Sequence, residues 1–135
     1  MKITGACHCT AVQFEADVDP STTSICHCTD CQILTATAFR VSVHAVPSTL
    51  RFTVGTPKIY TKTAESGRLR EQAFCGDCGS PFYSTSPGPE PKIYILRAGV
   101  IHQRAQLVPL RQIWTRSRLP WLDQLAALPG IAKDR

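Results

Sequence analysis

The sequence predicts a mostly β fold, a small and largely antiparallel β domain that is held together by bound metal and contains little helix. Apolar and polar residues alternate through several short stretches, which is the two-residue period of a strand with one buried face. Helical periodicity is confined to one segment near the end of the chain. All seven cysteines fall into three tight clusters, a pattern typical of metal ligation between distant parts of a small domain.

Strands are expected along most of the first hundred residues. Val12, Phe14 and Ala16 alternate with polar residues, so a strand should follow directly after the first cysteine pair. The β-branched and aromatic stretch at 93–100 predicts a central strand. The sequence predicts seven to nine strands in all, and the others are expected at 39–46, at 50–54, in a run that begins at 59, at 68–74 and at 81–85.

Helix is expected at two places. Residues 121–128 carry apolar residues at helical spacing between Pro120 and Pro129, which predicts a short C-terminal helix. A single helical turn can follow Cys28. Trp114 and Trp121 are interpreted as core residues, since aromatic side chains beside leucines usually pack inside.

The size and charge of the chain limit its functional class. With 135 residues, of which 43% are apolar, it should form a single domain over 1–135. The chain has no apolar stretch that could cross a bilayer and no hydrophobic signal segment at its start, so a cytoplasmic protein without a membrane partner is expected. The net charge of +5 is spread along the chain, which is more typical of solubility than of a nucleic-acid surface.

Disulfides are the weaker interpretation of the cysteines. Thiols persist in a reducing compartment, and an odd total of seven would leave one cysteine unpaired. Cysteines as close in sequence as Cys7 and Cys9 rarely bond to each other. The clusters suit chelation better.

The outer two clusters predict a structural metal site. Cys75 and Cys78 have the spacing of a zinc knuckle, and Gly79 after them can adopt a positive φ. This pair supplies only two ligands, and the pair near the N-terminus is the simplest source of the other two. We therefore expect a structural zinc on Cys7, Cys9, Cys75 and Cys78 that contributes directly to the free energy of folding.

The central cluster predicts a reactive metal site. Cys26, Cys28 and Cys31 place three thiolates within six residues, and three ligands leave one zinc position open for a substrate or water. Three thiolates donate strongly to the metal, so such a site acidifies water poorly and suits a substrate thiol better than hydrolysis. These cysteines are the expected catalytic residues, acting through bound zinc, and the chain should bind two zinc ions.

An alternative adds a fourth protein ligand to this cluster. His27, His44, His102 or Asp30 would then make both zinc sites structural. His8 and His27 each lie between cysteines, and in extended backbone the middle residue points away from its neighbours. Ligation by either of them is not expected, and a surface position or one behind the metal ligands is the better interpretation. His44 and His102 are interpreted as ordinary polar residues in or beside strands.

The ordered set of cysteine motifs resembles the family of glutathione-dependent formaldehyde-activating enzymes and centromere protein V. The motifs are Gly5-Ala6-Cys7-His8-Cys9, Cys26-His27-Cys28-Thr29-Asp30-Cys31 and Phe74-Cys75-Gly76-Asp77-Cys78-Gly79-Ser80. The resemblance continues through Ile113-Trp114 and Pro120-Trp121-Leu122 and so covers nearly the whole chain.

The resemblance implies an Mss4-like fold with the same division into a structural and a catalytic zinc. It implies an S-hydroxymethylglutathione synthase-like enzyme, in which a glutathione-like thiol and a small aldehyde such as formaldehyde are joined by carbon–sulfur lyase chemistry run in reverse. The chain departs from the family pattern in three respects. Thr10 stands where members often have glycine, Gln32-Ile33 stands where a basic pair is common, and no glycine occurs between Cys31 and Phe39.

A second functional class stays open at this point. The last third of the chain is rich in basic residues, so a zinc-stabilised module that binds a protein or nucleic-acid partner without chemistry is the alternative.

Overall fold

The computed structural model describes residues 1–134, and within them nine strands and one α-helix form the framework. The helix, α1 (Thr29–Thr35), follows the second strand, and four short 3₁₀-helices occupy Ala98–Val100, Arg104–Gln106, Thr115–Ser117 and Pro120–Ala127. The strands are β1 (Lys2–Ala6), β2 (Gln13–Cys26), β3 (Arg40–Ala45), β4 (Arg51–Val54), β5 (Lys58–Thr63), β6 (Leu69–Phe74), β7 (Pro81–Thr85), β8 (Ile95–Arg97) and β9 (Arg111–Ile113).

The long strand β2 organises the sheet. Its first half pairs with β1 and β4, its register is interrupted between Asp19 and Ser24, and its second half pairs with β3 and β9. From β3 the sheet continues through β8, β7 and β6 to β5. The β2–β9 pair is parallel and every other strand pair between residues 1 and 134 is antiparallel. Strand β2 thereby connects the turn that contains Cys7 and Cys9 to Cys26.

The hydrophobic core lies on one side of this sheet. The rings of Phe14 and Phe52 both pack against Phe82, with centroids 5.8 and 5.7 Å away and nearly perpendicular planes, an arrangement that aromatic rings favour. The core also includes two of the candidate ligands, Cys7 and Cys75. Burial of this apolar surface is the main favourable term in folding.

The opposite side of the sheet is polar and lines a cavity. On β3, Val43 belongs to the core, whereas Arg40, Ser42 and His44 alternate with it and face the cavity. Residues opposite each other on paired strands point to the same side, so this polar side extends across the sheet. We call it the cavity face, and it also carries Ser24, Cys26, Arg70, Gln72, Ser84, Ile95 and Arg97.

The predicted mostly β, largely antiparallel architecture is confirmed, with nine strands among the described residues. Strand β1 was not predicted, since only one of its residues is a large apolar one. The strand expected at 93–100 does lie centrally, but only Ile95–Arg97 pair, because the chain then turns into a 3₁₀-helix at Ala98–Val100.

The helix expectations need correction. The C-terminal segment is helical over Pro120–Ala127, but as a 3₁₀-helix. The single turn expected after Cys28 is the seven-residue helix α1. None of the helices in the described part of the chain has the length and apolar character of a membrane span.

The core interpretation of the two tryptophans was wrong. Trp114 and Trp121 are 44% and 50% exposed. Trp114 follows edge strand β9 in a left-handed conformation, with φ 56°, and lines the cavity. Its position at a strand end, outside the alternating core pattern, explains the exposure.

Candidate metal centres and the adjoining cavity

Four cysteines from two distant turns converge at one end of the sheet. The Sγ atoms of Cys7, Cys9, Cys75 and Cys78 all lie within 4.8 Å of one another. The Cys7–Cys9 and Cys9–Cys75 sulfur distances are 3.6 and 3.7 Å. Four sulfurs about 2.3 Å from a tetrahedral zinc lie about 3.8 Å apart, so the arrangement fits that ion.

Tight turns present these sulfurs. The turn between β1 and β2 is closed by Thr10, whose amide donates to the Cys7 carbonyl at 3.0 Å and whose φ is 64°. The turn between β6 and β7 is closed by Gly79, whose amide donates to the Cys75 carbonyl at 2.9 Å. The φ of Gly79 is 79°, as its place after the cysteine pair predicted.

The sulfurs of this cluster are surrounded by hydrogen-bond donors. The amides of Val12 and Asp77 donate to the sulfurs of Cys7 and Cys75 at 3.3 and 3.4 Å. The Ser80 hydroxyl lies 3.3 Å from Cys78 Sγ, and hydrogen bonds from this hydroxyl, the Ser80 amide and Cys9 together lower the pKa of the Cys78 thiol to about 5. Donors aimed at sulfur favour thiolates, the form that binds metal.

The central three cysteines meet where β2 ends and α1 begins. The Sγ atoms of Cys26, Cys28 and Cys31 lie within 4.8 Å of one another, and all three residues are half-buried. Cys28 caps the helix, because its sulfur accepts the Cys31 amide at 3.2 Å. A hydrogen bond from the Cys31 thiol lowers the pKa of Cys26, whereas burial raises the pKa of Cys28. We call these three residues the triad.

Among residues 1–134, no histidine or carboxylate joins the triad within ligand distance. Asp30 forms an ion pair with Lys62 instead. The ring of His27 is 1% exposed, and its Nε2 lies 2.7 Å from Gln112 Oε1. His27 is therefore not a surface residue: it is a buried packing residue, held against β9.

The loop that carries the triad is anchored to the C-terminal segment. The His27 amide donates to the Ile113 carbonyl at 3.0 Å. The Gln32 side-chain amide donates to the carbonyls of His27 and Ser117 at 2.8 and 3.0 Å. Gln32 thereby ties α1 to the segment after β9.

A cavity of about 550 Å³ opens beside the triad. Its floor is the cavity face of the sheet, and its walls come from α1, the end of β5 and the segment around β9. The basic residues that the sheet contributes to its lining were not predicted from the sequence. The signal was present in β3, where Arg40, Ser42 and His44 alternate with apolar residues, but such alternation usually marks a solvent-exposed face. The basic lining residues are Arg40, Lys62, Arg70, Arg97, Arg111 and Arg116.

The family model of the glutathione-dependent formaldehyde-activating enzyme matches residues 2–117, a range that contains the four converging cysteines, the triad and the residues that line the cavity. The chain belongs to this family. A solved Rhodobacter sphaeroides structure superimposes on it with a TM-score of 0.60 and 19% sequence identity, over 81% of this chain and 98% of that one. No curated protein matches the sequence.

Membership in the formaldehyde-activating family indicates formaldehyde-activating or otherwise thiol-related chemistry. The structural likeness to the Rhodobacter protein supports the fold. Both cysteine clusters could bind metal, and their all-sulfur donor sets are consistent with zinc.

Proposed function

We propose that this chain joins a low-molecular-weight, glutathione-like thiol to a small aldehyde such as formaldehyde, and catalyses the reverse carbon–sulfur cleavage. The observation that carries the proposal is that the three sulfurs of the triad have no fourth protein ligand within the described residues and line a cavity large enough for two small reactants.

The reaction balances without an oxidant or a reductant. The sulfur lone pair of the thiolate forms the new carbon–sulfur bond, and the carbonyl π pair moves to oxygen. That oxygen takes up one proton, which replaces the proton that the thiol lost. Zinc on the triad would supply an open position that holds a thiol deprotonated near neutral pH.

The residues of the chain supply binding and orientation. Cys26, Cys28 and Cys31 fix the place of reaction, since one ends a strand and the other two lie at the start of α1. Arg111 is at the cavity wall and suits a carboxylate of a peptide-like thiol. Enclosure by Trp114 reduces access of water.

The four-cysteine cluster takes the structural role in this proposal. Cys7 and Cys75 belong to the core and tie the β1–β2 turn to the β6–β7 turn. The chain would then hold two zinc ions. The seven free cysteines suit a reducing compartment such as the cytoplasm.

The position of the basic residues favours a small ligand over a nucleic-acid partner. Arg111 and Arg116, from the basic last third, line the concave cavity. Nucleic-acid backbones instead require positive charge along an open surface or groove.

The test measures exchange between glutathione and ¹³C-formaldehyde by NMR with the zinc-loaded protein. Exchange should exceed the uncatalysed rate, and Cys28→Ser should abolish the acceleration. Ile33→Ser, on the same helix but 76% exposed and outside the cavity lining, is the matched control and should retain it. Absence of acceleration with glutathione and with other common thiols would refute the proposal.

A further inference from the structure

Three arginines form the floor of the cavity, on the same side of the sheet as Cys26. Arg40 on β3 is directly opposite Cys26, and Arg97 on β8 is directly opposite Ser42. Arg40 and Arg97 are only 4% and 7% exposed, and Arg70 on β6 is half-buried. We call these three residues the arginine floor.

Neutral groups hold two residues of the arginine floor, Arg97 and Arg70, in place. Arg97 donates to Ser42 Oγ at 3.1 Å and to Gln72 Oε1 at 2.8 Å. Arg70 donates to the hydroxyl oxygens of Ser86 and Ser84 at 2.7 and 3.3 Å. Buried guanidinium groups are normally paired with carboxylates, so this environment is unusual.

Some of the hydrogen-bonding capacity of the floor is unused. The Nε atoms of Arg40 and Arg97 are buried and have no hydrogen-bond partner. Burial, reinforced by the charge of Arg40, depresses the pKa of Arg97. The floor is therefore a buried positive region that an anion would stabilise.

Other groups in the cavity do not neutralise this charge. The carboxylates of the lining are Asp30 and Glu65, which pair with Lys62 and Arg116. Three thiolates with one divalent ion carry a net charge of about −1, which a single arginine balances. Two positive charges of the floor are left for a ligand.

We propose that the carbonyl substrate bears a carboxylate next to its reacting carbon, as a 2-oxo acid does, and that this carboxylate binds the arginine floor. The inference rests on the proposed function and narrows its substrate class. Arg97 on β8 lies two strands away from Cys26 on β2, with β3 between them. Because adjacent strands are about 4.8 Å apart, the long side chain of Arg97 can bind a group close to the reacting carbon. The carboxylates of a peptide-like thiol are several bonds from its sulfur and lie farther from the reacting carbon, near Arg111 at the cavity wall.

The reaction keeps its balance with such a substrate. The thiolate sulfur bonds to the aldehyde carbon, the carbonyl oxygen gains the electron pair and a proton, and the carboxylate is unchanged. Its role is recognition, through charge-assisted and bidentate hydrogen bonds to guanidinium groups.

The kinetic test compares glyoxylate with methyl glyoxylate, which lacks the charge, using glutathione and the zinc-loaded protein. The wild type should prefer glyoxylate in kcat/KM by about tenfold or more. Arg97→Gln and, separately, Arg70→Gln should bring this ratio close to one. Arg51→Gln is the matched control, because Arg51 is exposed and pairs with Glu15 outside the cavity, and it should keep the wild-type ratio.

A binding measurement separates this inference from the proposed reaction. Calorimetry with oxamate, an unreactive carboxylate beside an amide carbonyl, should show binding that either floor variant weakens about tenfold or more. Arg51→Gln should leave it unchanged. Circular dichroism of both floor variants establishes that they are folded, and the half-buried Arg70 provides a second variant if Arg97→Gln does not fold.

The outcomes are distinct. Catalysis with formaldehyde but no preference for glyoxylate would overturn the inference and leave the proposed function intact. The thiols 3-mercaptopropionate, which has a carboxylate, and cysteamine, which has none, provide a further comparison. If the arginine floor discriminates between these thiols rather than between glyoxylate and its methyl ester, it binds the carboxylate of the thiol, and the inference is also overturned. Arginine-dependent oxamate binding without any thiol addition would support the carboxylate site and refute the proposed reaction.

Discussion

Arg40 lies directly opposite Cys26 across the antiparallel strands β2 and β3, so a buried positive charge and a sulfur of the triad share one side of the sheet. Opposite residues in such a pair have Cβ atoms about 5 Å apart. Regular strand pairing, rather than a flexible loop, therefore sets the charge beside the candidate reaction site.

Zinc content should distinguish the four-cysteine site from the triad. Wild-type protein purified under reducing conditions should hold two zinc ions, and Cys28→Ser should stay folded with one. Cys75→Ser should unfold the protein, because a ligand in the core would be lost from the site that joins two distant turns. Mass spectrometry of the metal and circular dichroism measure both effects. Unfolding by Cys28→Ser would show that the triad is structural.

Replacing Thr10 by glycine should stabilise the protein. Thr10 is β-branched and has a φ of 64°, a conformation that costs L residues about 1–2 kcal/mol. We expect Thr10→Gly to raise the free energy of unfolding by about 1 kcal/mol in urea denaturation. Thr53→Gly, at an exposed site within β4, is the control and should lower it by a similar amount. A loss of stability in Thr10→Gly would contradict the strain argument.

Gly55 should not tolerate a side chain. Its φ is 68°, and an added Cβ would lie 2.2 Å from the Ala11 carbonyl oxygen. Gly55→Ala should therefore destabilise the fold by about 1–3 kcal/mol, measured as a lower urea midpoint. Gly99→Ala meets no heavy atom within 4 Å and serves as the control. Equal midpoints for the two variants would contradict the close contact.

Removing the buried charge of Arg97 should stabilise the fold while it impairs the cavity. Arg97→Met removes a cation that has neutral partners only, so the free energy of unfolding should rise by about 1 kcal/mol. Arg51→Met at the surface should change it by less than about 0.5 kcal/mol. A loss of several kcal/mol in Arg97→Met would mean that the arginine supports the fold, and the carboxylate inference would lose its basis.

His44 should make stability depend on pH below neutrality. Burial lowers its pKa, Arg111 lowers it further, and Asp19 opposes the shift. The unfolded chain then takes up a proton before the folded protein does, so the free energy of unfolding falls as pH decreases from about 6.5 through the lower folded-state pKa. As pH decreases over this range, the urea midpoint of His44→Gln should fall less steeply than that of the wild type. Above about pH 7 the midpoints of the two proteins should depend on pH in the same way. Equal slopes below pH 6.5 would contradict the shift.

Features that local spacing determines could be predicted from the sequence. Chelation needs ligands close together in space, and Cys26, Cys28 and Cys31 are already close along the chain, so their convergence followed from spacing. The pairing of the two outer clusters followed from the ligand count. The strand pattern was visible wherever one side packs in the core, as in the first half of β2.

The cavity depended on pairing between strands far apart in sequence. Arg40, Arg70 and Arg97 come from three strands, and only the sheet register brings them beside Cys26. Polar residues that alternate with apolar ones look the same in sequence whether they face solvent or an enclosed polar cavity. The length of α1 was not predicted for a different reason. The N-cap of this helix is the sulfur of Cys28 rather than one of the usual side-chain oxygens, so the sequence lacks the usual signal of a helix start.

Strand β3 also bears on how this protein can evolve. Val43 and Ala45 contribute to the core, whereas Ser42 and His44, their immediate neighbours in sequence, contribute to the cavity. A mutation at one of the latter positions alters the cavity lining without altering the volume packed on the other side of the sheet. Selection can therefore diversify the substrates of this scaffold one position at a time, while the residues that preserve its folded shape stay the same.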